Sequence, residues 1–459
     1  LRPELNRNTV AHFFALQVPE DGQTFFNGVS ELLPAHRMTV DASGHTITRY
    51  WQPDPTKKLR FKTEKEYADH FLALLEESVR CRMRSITPIG VSMSGGLDST
   101  SVACLAARMQ SPQPLTAISN VYDELLECDE REYIDAVKAQ YDIRSIRIPS
   151  DDAWTYKDWQ SRLHNPNQPE GNLYRINKER NYQTAHNDGL RVVLTGGSGD
   201  RLYIAGREWL TDLLREGRFR DTLAGLALQI RSRGIRYTLS FGHVRISLQS
   251  LWQKFLPGLH RARRHKVVYP AWLHASLTGF LKKDKKDRSW LPPGLERYAT
   301  LLGLMSAYGC SRETFIASRY ELELRHPYRD RRLVEFMIGI PAYMLYRDGF
   351  YKHILRVAMQ GILPESIRTR KRATFLSPLF LRGVERERAV LDSNLYENDR
   401  AWLQFVDARW VRKHLSVRRS SNKPGIALFV AWLCVSFEAW YGTFTQANEI
   451  SGGRCDSRA

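Results

Sequence analysis

Short apolar runs alternate with longer amphipathic stretches between residues 88 and 195. The runs IGVSM, LTAIS, IRSIRI and RVVLT have the length and composition of buried strands. The stretches between them, such as residues 99–110 and the segment EREYIDAVKAQY, repeat their apolar positions at helical spacing. Strands separated by helices are typical of a doubly wound parallel sheet, so the pattern predicts an α/β fold.

The segment before this core has a different pattern. Residues 1–56 contain alternation such as HTITRYW and turn residues such as DASG, which predict the β-rich edge of a larger domain. Because the sequence begins with Leu1, we expect a trimmed chain or a fragment. The following segment predicts a helix, since Thr63 and Glu66 have capping-box spacing before an amphipathic run.

The segments after the core predict mostly helices. Residues 205–320 are basic and lack strand alternation, and residues 321–445 are helical apart from the irregular segment RTRKRATFLSP. Residues 447–459 predict a disordered tail. We therefore divide the chain into a β-rich piece (1–56), a main α/β domain with a large helical elaboration (57–446) and this tail.

Composition excludes several classes of protein. The chain has 459 residues, 42% of them hydrophobic, which is typical of a globular protein. The longest apolar stretch, residues 425–444, contains Ser436 and Glu438 and therefore predicts a buried helix rather than a membrane span. The six cysteines have no CxxC spacing, so neither a zinc site nor a disulfide framework is indicated, and a cytoplasmic location fits.

The net charge of +18 comes from clusters of lysine and arginine, such as RARRHK and KKDKKDR. Such clusters are compatible with a solvated basic surface or with binding of a polyanion. No aromatic-interleaved nucleic-acid module accompanies them, so we interpret the charge first as plain surface and expect no nucleic-acid partner.

A glycine turn follows the first strand of the core. The segment SGGLDS lies between the strand IGVSM and the helix of residues 99–110. Backbone N–H groups of such a turn and of the first helical turn converge on one point, which predicts an anion cradle. The segment is neither a Walker A loop nor a G-x-G-x-x-G turn. A second glycine-rich loop, GGSGD, follows the strand RVVLT.

The segment SGGLDS resembles the pyrophosphate loop of the ATP-pyrophosphatase enzymes, and further segments make the chain similar to the asparagine synthetase family. These segments are TFFNGVSELLPAHRMTV with RYWQPD, VVLTGGSGDRLY, ELELRHPYRDRRLVEF and KHILRVAMQGILPESI. The resemblance covers nearly the whole chain. It implies a five-stranded parallel sheet of the adenine-nucleotide α-hydrolase type, with helices on both faces. It also implies that residues 1–56 end an Ntn-type glutaminase domain and that residues 57–446 form the synthetase domain.

The chemistry that the resemblance implies is ATP-dependent activation of a carboxylate as an acyl-adenylate, followed by attack of ammonia or an amine. Such a site needs backbone amides and Mg²⁺ to neutralise the leaving pyrophosphate. The resemblance assigns nucleotide binding to Ser94, Gly95, Gly96, Leu97, Asp98, Ser99, Thr195 and Gly196. Asp98 and Asp200 are the expected Mg²⁺ ligands. The alternative for Asp98 is a cap on the following helix.

Further residues match family positions near the reacting groups. Glu323 matches a glutamate near the attacking amine, where a carboxylate could accept a proton. Its alternative is an ion pair with Arg325 or Arg319. Lys352 and Arg356 match the K-x-x-L-R segment, for which structural and phosphate-contact roles are both open.

The sequence departs from the family pattern in two places. The family loop S-G-E-G-x-D-E reads Thr195-Gly196-Gly197-Ser198-Gly199-Asp200-Arg201 here, so Gly197 replaces a glutamate that assists ammonia addition. In the R-x-K-x-x-F segment, Arg372 stands at the lysine position and Lys371 lies beside it, and either side chain could supply the cation. Similar departures occur in relatives that form β-lactams or close lasso peptides.

The prediction is an amide-forming ligase that takes a small-molecule or peptide carboxylate, with aspartate as the default, and ammonia derived from glutamine. The first cysteine, Cys81, lies inside a predicted helix, so glutamine hydrolysis is not assigned to these residues. The alternatives are a lactam or macrolactam synthetase, an RNA-modifying ATP pyrophosphatase and an inactive scaffold. We expect no membrane partner, and a homodimer is left open.

Overall fold

The computed structural model describes residues 4–17, 22–203, 209–240, 244, 269–282, 304–347, 349–416 and 425–453. Much of the basic helical stretch that the sequence predicts over 205–320 lies outside these residues.

A five-stranded parallel sheet forms the centre of the described chain. Its strands lie in the order β5 (Ile143–Pro149), β4 (Leu115–Val121), β3 (Ile89–Ser92), β6 (Val192–Thr195) and β7 (Glu323–Arg325). Two antiparallel hairpins lie outside it: β1 (His36–Asp41) with β2 (Gly44–Arg49), and β8 (Tyr346–Arg347) with β9 (Phe350–Tyr351). The predicted parallel α/β sheet is confirmed.

The strand order reverses at β3. From β3 the chain moves outward through β4 to β5, and then returns to place β6 on the other side of β3. In such sheets ligands bind at the carboxyl ends of the strands where the order reverses. The candidate loops after β3 and β6 lie at this point.

The helices are, in chain order, α1 (Arg7–Phe14), α2 (Glu64–Arg82), α3 (Leu97–Gln110), α4 (Arg131–Gln140), α5 (Arg175–Asn187), α6 (Gly199–Leu202), α7 (Trp209–Arg215), α8 (Phe219–Arg233), α9 (Ile235–Ser240), α10 (Thr278–Lys282), α11 (Leu304–Ser318), α12 (Arg331–Gly339), α13 (His353–Ala358), α14 (Glu365–Arg368), α15 (Ser377–Arg386), α16 (Arg388–Tyr396), α17 (Ala408–Ser416) and α18 (Ile426–Gly453). The capping predicted before α2 is present with one difference: the Thr63 hydroxyl accepts from the Glu66 N–H at 3.2 Å, but the Glu66 carboxylate accepts from the N–H of Lys62, one residue before the N-cap.

Two large and two smaller hydrophobic clusters support the described elements. The largest lies around the sheet and combines α2 and α3 with α12 and α13. The second is rich in aromatic residues and joins α1 to α18. There Phe14 packs against Phe437 at a ring separation of 5.2 Å, and Phe25 against Trp440 at 5.0 Å. The first described residues therefore share a core with the C-terminal helix, whereas the β1–β2 hairpin is largely exposed.

The apolar stretch predicted as a buried helix is the first part of α18. In the part of the chain that the structure describes, this is the one helix long and apolar enough to cross a membrane, over Ile426–Thr445. Its side chains Trp432, Phe437 and Trp440 are fully buried in the second core. The helix continues to Gly453, so residues 447–453 are helical where the sequence predicts the start of a disordered tail. Residues 454–459 lie outside the described residues.

Candidate active site

The loops after β3 and β6 lie side by side at the carboxyl edge of the sheet. Ser92 and Thr195, the last residues of the two strands, are paired in register. A Cβ atom added to Gly196 would lie 2.6 Å from the backbone nitrogen of Ser99, and one added to Gly199 would overlap the carboxyl group of Asp98. Both glycines are therefore needed for the close approach of the second loop to the start of α3.

The hydroxyl groups of the first loop hold its backbone in shape. The Ser94 N–H donates to Ser99 Oγ at 3.0 Å, the Gly96 N–H donates to Ser94 Oγ at 3.1 Å, and the two hydroxyls lie 2.9 Å apart. Helix α3 begins at Leu97, with Gly96 as an N-cap that provides no side chain. The N–H groups of the first helical turn therefore have no intrahelical acceptor and are suited to an anion.

A salt bridge that the sequence did not indicate fastens this loop to the segment RTRKRATF. The Gly95 N–H donates to Glu130 Oε2 at 2.9 Å. The Arg370 guanidinium donates to the Gly95 carbonyl at 2.9 Å and to Glu130 Oε1 at 2.8 Å, and it stacks 4.0 Å above the Tyr133 ring. The Gly95 amide, expected to face a phosphate, is thus bonded to a carboxylate in this structure.

Lys352 lies between the two aspartates predicted to bind Mg²⁺. Its ammonium group is 2.7 Å from Asp98 Oδ2 and 2.6 Å from Asp200 Oδ1. The side chains of Lys352 and Asp98 are 18% and 12% exposed, whereas that of Asp200 is 87% exposed. The Asp98 side chain does not cap α3. Lys352, for which the sequence left structural and phosphate-contact roles open, forms ion pairs with both aspartates.

The electrostatics of this group follow from burial and from its opposite charges. Burial raises the pKa of Asp98 to about 6, although Lys352 opposes the shift. Burial also acts to lower the pKa of Lys352, but the carboxylates Asp98 and Asp200 outweigh it and raise that pKa above its usual value. At neutral pH Asp98 is therefore mostly ionised and Lys352 is protonated.

A divalent cation fits the two aspartates. Asp98 Oδ1 is buried and has no hydrogen-bond partner among the described residues. Within the same residues there is no group of three or more His, Cys, Asp and Glu side chains that could hold a metal ion. A hard cation here would therefore have two carboxylates at most from these residues and would complete its shell with phosphate oxygens and water, which is typical of Mg²⁺.

The structure does not bring Glu323 to this group. Glu323 is the first residue of β7, is paired in register with Val192, and lies two residues before the last residue of the strand. Its carboxylate is 62% exposed and ion-paired with Arg325 at 2.7 Å, which is the alternative left open by the sequence. The hydrogen bonds from Arg325 lower the pKa of Glu323, so the carboxylate is a weak base in this arrangement.

Lys371 and Arg372 have exposed side chains on the segment that Arg370 fastens. The Lys371 ammonium lies 5.7 Å from the centre of the Phe350 ring. Within the described residues neither side chain is hydrogen-bonded or ion-paired to Asp98 or Asp200. Arg356 has a structural role, because its guanidinium donates to the carbonyls of residues 351, 368 and 370.

The segment after β7 contributes two further residues. Asp330 is the N-cap of α12, where it accepts from the Arg332 N–H at 3.0 Å, and it is ion-paired with Arg82 at 3.1 Å. Asp330 is therefore structural. His326 follows β7 directly, and its Nδ1 lies 2.7 Å from Thr195 Oγ1. No local sequence pattern indicates His326, because only the pairing of β6 and β7 brings it to the loop.

Comparison with known proteins identifies a family. The family model described as asparagine synthase matches residues 70–442. "Asparagine synthetase [glutamine-hydrolyzing] 3" of Bacillus subtilis is 25% identical over 448 residues, which cover 92% of this chain and 66% of that protein. "Amidase chyE" of Penicillium rubens is 22% identical over 453 residues, covering 88% and 66%. A "Putative asparagine synthetase [glutamine-hydrolyzing]" of Mycobacterium tuberculosis is 31% identical over 116 residues, covering 25% and 18%. The chain spans about two thirds of the length of the first two relatives.

Proposed function

The chain belongs to the asparagine synthase family, whose model covers residues 70–442, and from this premise we propose that it is an ATP-dependent amide-forming ligase. The observation that carries the proposal is the group formed by Asp98, Lys352 and Asp200, which lies beside the open N–H groups at the start of α3.

The first half of the reaction uses the anion cradle. A substrate carboxylate attacks the α-phosphorus of ATP, an acyl-adenylate forms and pyrophosphate leaves. The N–H groups of the first turn of α3 and the hydroxyls of Ser94 and Ser99 bind the departing phosphates, and Lys352 supplies a positive charge close to them. Asp98 and Asp200 would hold Mg²⁺, which supplies further charge neutralisation on the phosphate oxygens.

The second half forms the amide. The amine nitrogen attacks the acyl carbon, the C–O bond to the phosphate breaks, and AMP leaves with the electron pair. In this proposal Arg372 or Lys371 stabilises the negative charge that develops, on a segment that Arg370 fastens to the first loop. The sequence predicts Glu323 as the proton acceptor, but its exposed position at the start of β7 and its ion pair with Arg325 count against that role.

The proposed substrates are aspartate and ammonia derived from glutamine. These substrates are supported by the names of the relatives from Bacillus subtilis and Mycobacterium tuberculosis, both of which are called glutamine-hydrolysing asparagine synthetases. Under this proposal residues 1–56 end a glutaminase-like domain, residues 57–446 form the synthetase domain, and the protein acts in the cytoplasm, with a homodimer open. The second candidate is a lactam or macrolactam synthetase acting on a small molecule or peptide, which Gly197 and Arg201 in place of the two family acids favour.

The test of the proposal is ATP–pyrophosphate exchange, which reports adenylate formation alone. We expect exchange that depends on both Mg²⁺ and a carboxylate, with aspartate as the first carboxylate tried. Asp98→Asn should abolish exchange, because it removes a carboxylate from the proposed cation site. Exchange at the wild-type rate in Asp98→Asn would show that the assignment of this site is wrong. Glu323→Gln tests the role predicted from the sequence: unchanged exchange with slower amide formation would support Glu323 as the base, whereas unchanged rates of both half-reactions would leave it only its ion pair with Arg325.

A further inference from the structure

We propose that His326 takes the place of the carboxylate that the loop after β6 lacks at position 197, and that it forms, with Thr195 and the Lys178–Glu313 pair, the subsite that receives the amine. This inference rests on the proposed function, because it concerns the second half of that reaction.

The imidazole of His326 fills the space in which a side chain at position 197 would begin. A Cβ atom added to Gly197 would lie 2.8 Å from His326 Nδ1 and 2.9 Å from Thr195 Oγ1. Real Cβ atoms do not approach other atoms so closely, so a side chain at 197 and this position of the ring exclude each other. The position of His326 therefore explains why residue 197 is a glycine. The loop after β6 lacks a side chain at 197, and His326, directly after β7, occupies that space.

Hydrogen bonds join the ring to the loop. His326 Nδ1 is 2.7 Å from Thr195 Oγ1, and the same hydroxyl accepts from the Gly197 N–H at 3.0 Å. Thr195 is the last residue of β6 and His326 follows the last residue of β7, so both lie at the carboxyl edge of the sheet. The neighbouring residue Gly196 packs on the first turn of α3. His326 thus lies at the same edge of the sheet as the anion cradle, whereas Glu323 lies at the start of β7.

Charged groups on three helices affect the pKa of the ring. Glu313 on α11 accepts from Lys178 Nζ on α5 at 2.8 Å and from the Tyr182 hydroxyl at 2.9 Å. Burial lowers the pKa of His326; Glu313 opposes this shift, whereas Lys178 and Arg82 on α2 add to it. The net direction is downward, so the ring is neutral at pH 7 and able to accept a proton.

A neutral imidazole at this place completes the proton balance of amide formation. When the amine nitrogen bonds to the acyl carbon and AMP leaves with the electron pair of the broken C–O bond, the nitrogen must lose a proton. With Nδ1–H donating to Thr195 Oγ1, Nε2 has the free electron pair that accepts this proton. The proton then passes from the imidazolium to water.

The experiment measures the two half-reactions separately in His326→Asn, with aspartate, ATP, Mg²⁺ and either ammonium or hydroxylamine as the amine. Asparagine retains a donor near the position of Nδ1 but does not titrate. We expect ATP–pyrophosphate exchange at the wild-type rate and amide formation slower by about 100-fold or more. Divided by the concentration of unprotonated amine at each pH, the wild-type rate of amide formation should rise with pH through a pKa below 6.5, and this rise should be absent in the variant. The matched control is His186→Asn. His186 lies on α5, its Nδ1 is 2.9 Å from the Tyr320 carbonyl oxygen, and the variant should behave as wild type.

Equal losses in both half-reactions would assign His326 a purely structural role and overturn the inference, as would an unchanged rate of amide formation. Absence of exchange in the wild-type protein would instead count against the proposed function with aspartate. In that case a double-mutant cycle tests the position of the His326 ring without any carboxylate substrate. Gly197→Ala should lower Tm more in the wild-type background than in His326→Ala, where only the close contact with Thr195 Oγ1 remains. Additive effects in this cycle would overturn the inference.

Discussion

Replacement of Lys352 by methionine should destabilise the protein strongly in the absence of ligands. The side chain keeps its length, but the two carboxylates lose the ammonium between them. The contact with Asp200 contributes little, because that carboxylate is 87% exposed and water screens it. The contact with Asp98 dominates, since both side chains are largely buried at 2.7 Å. Removing one partner of a buried pair costs ~3–5 kcal/mol, so we expect a loss of about 3 kcal/mol in the free energy of unfolding.

The assay is equilibrium unfolding in urea at pH 8, where Asp98, with a pKa of about 6, is ionised in the wild-type protein. Lys65→Met is the matched control, because Lys65 forms an exposed i,i+4 pair with Asp69 and its loss should cost ~0.5 kcal/mol or less. Mg²⁺ should recover more stability in Lys352→Met than in wild type, since the cation can then replace the missing ammonium. Equal stabilities of Lys352→Met and Lys65→Met would refute this reasoning.

Three further predictions concern the residues around the site. Asp330→Asn should cost ~1–3 kcal/mol in unfolding free energy. The hydrogen bonds from Arg332 and Arg82 outweigh burial and lower the pKa of Asp330 to about 2, so the stabilisation by this carboxylate is complete above pH 4 and is lost as the pH falls through about 2. Acid unfolding of the wild-type protein and of Asp330→Asn measures this loss. Gly199→Ala should abolish Mg·ATP binding in calorimetry by displacing the Asp98 carboxylate, whereas Gly442→Ala, with open space around it, should bind normally. Arg370→Lys keeps the charge but loses the forked contacts with Gly95 and Glu130, so ATP affinity should fall about tenfold; wild-type affinity would exclude this role for the salt bridge.

The alternating pattern was sufficient to predict the central sheet. The residues of β3, β4 and β6 are almost all buried, and β5, which is mostly half-buried, continues the same alternation of strand and helix. Strand β7 was not predicted, because three residues that include Glu323 and Arg325 have no strand pattern of their own and are recruited only by pairing with β6. The two glycine loops were predicted, since a turn between strand and helix is a local feature.

A local sequence pattern does not predict the long-range contacts that complete the site. Lys352 is 254 residues from Asp98 in sequence, and nothing around it indicates which carboxylate it meets. Glu130 and Arg370 are likewise joined only by the fold. The sequence identified Gly197 as a departure but gave no reason for it, because the reason is the ring of His326 across the β6–β7 pair. Local chemistry is thus readable from the sequence, whereas pairs from distant segments require the structure.

Transfer of oxygen from the substrate to the nucleotide tests the central claim, acyl-adenylate formation at this site, most directly. The full-length protein is incubated with ATP, Mg²⁺, ammonium and aspartate whose side-chain carboxylate contains ¹⁸O, and the products are analysed by mass spectrometry. Acyl-adenylate formation should give AMP that contains one ¹⁸O atom, unlabelled pyrophosphate, and asparagine in equal amount to AMP. Formation of ADP with ¹⁸O in inorganic phosphate would exclude an acyl-adenylate, since the carboxylate would then have attacked the γ-phosphorus rather than the α-phosphorus.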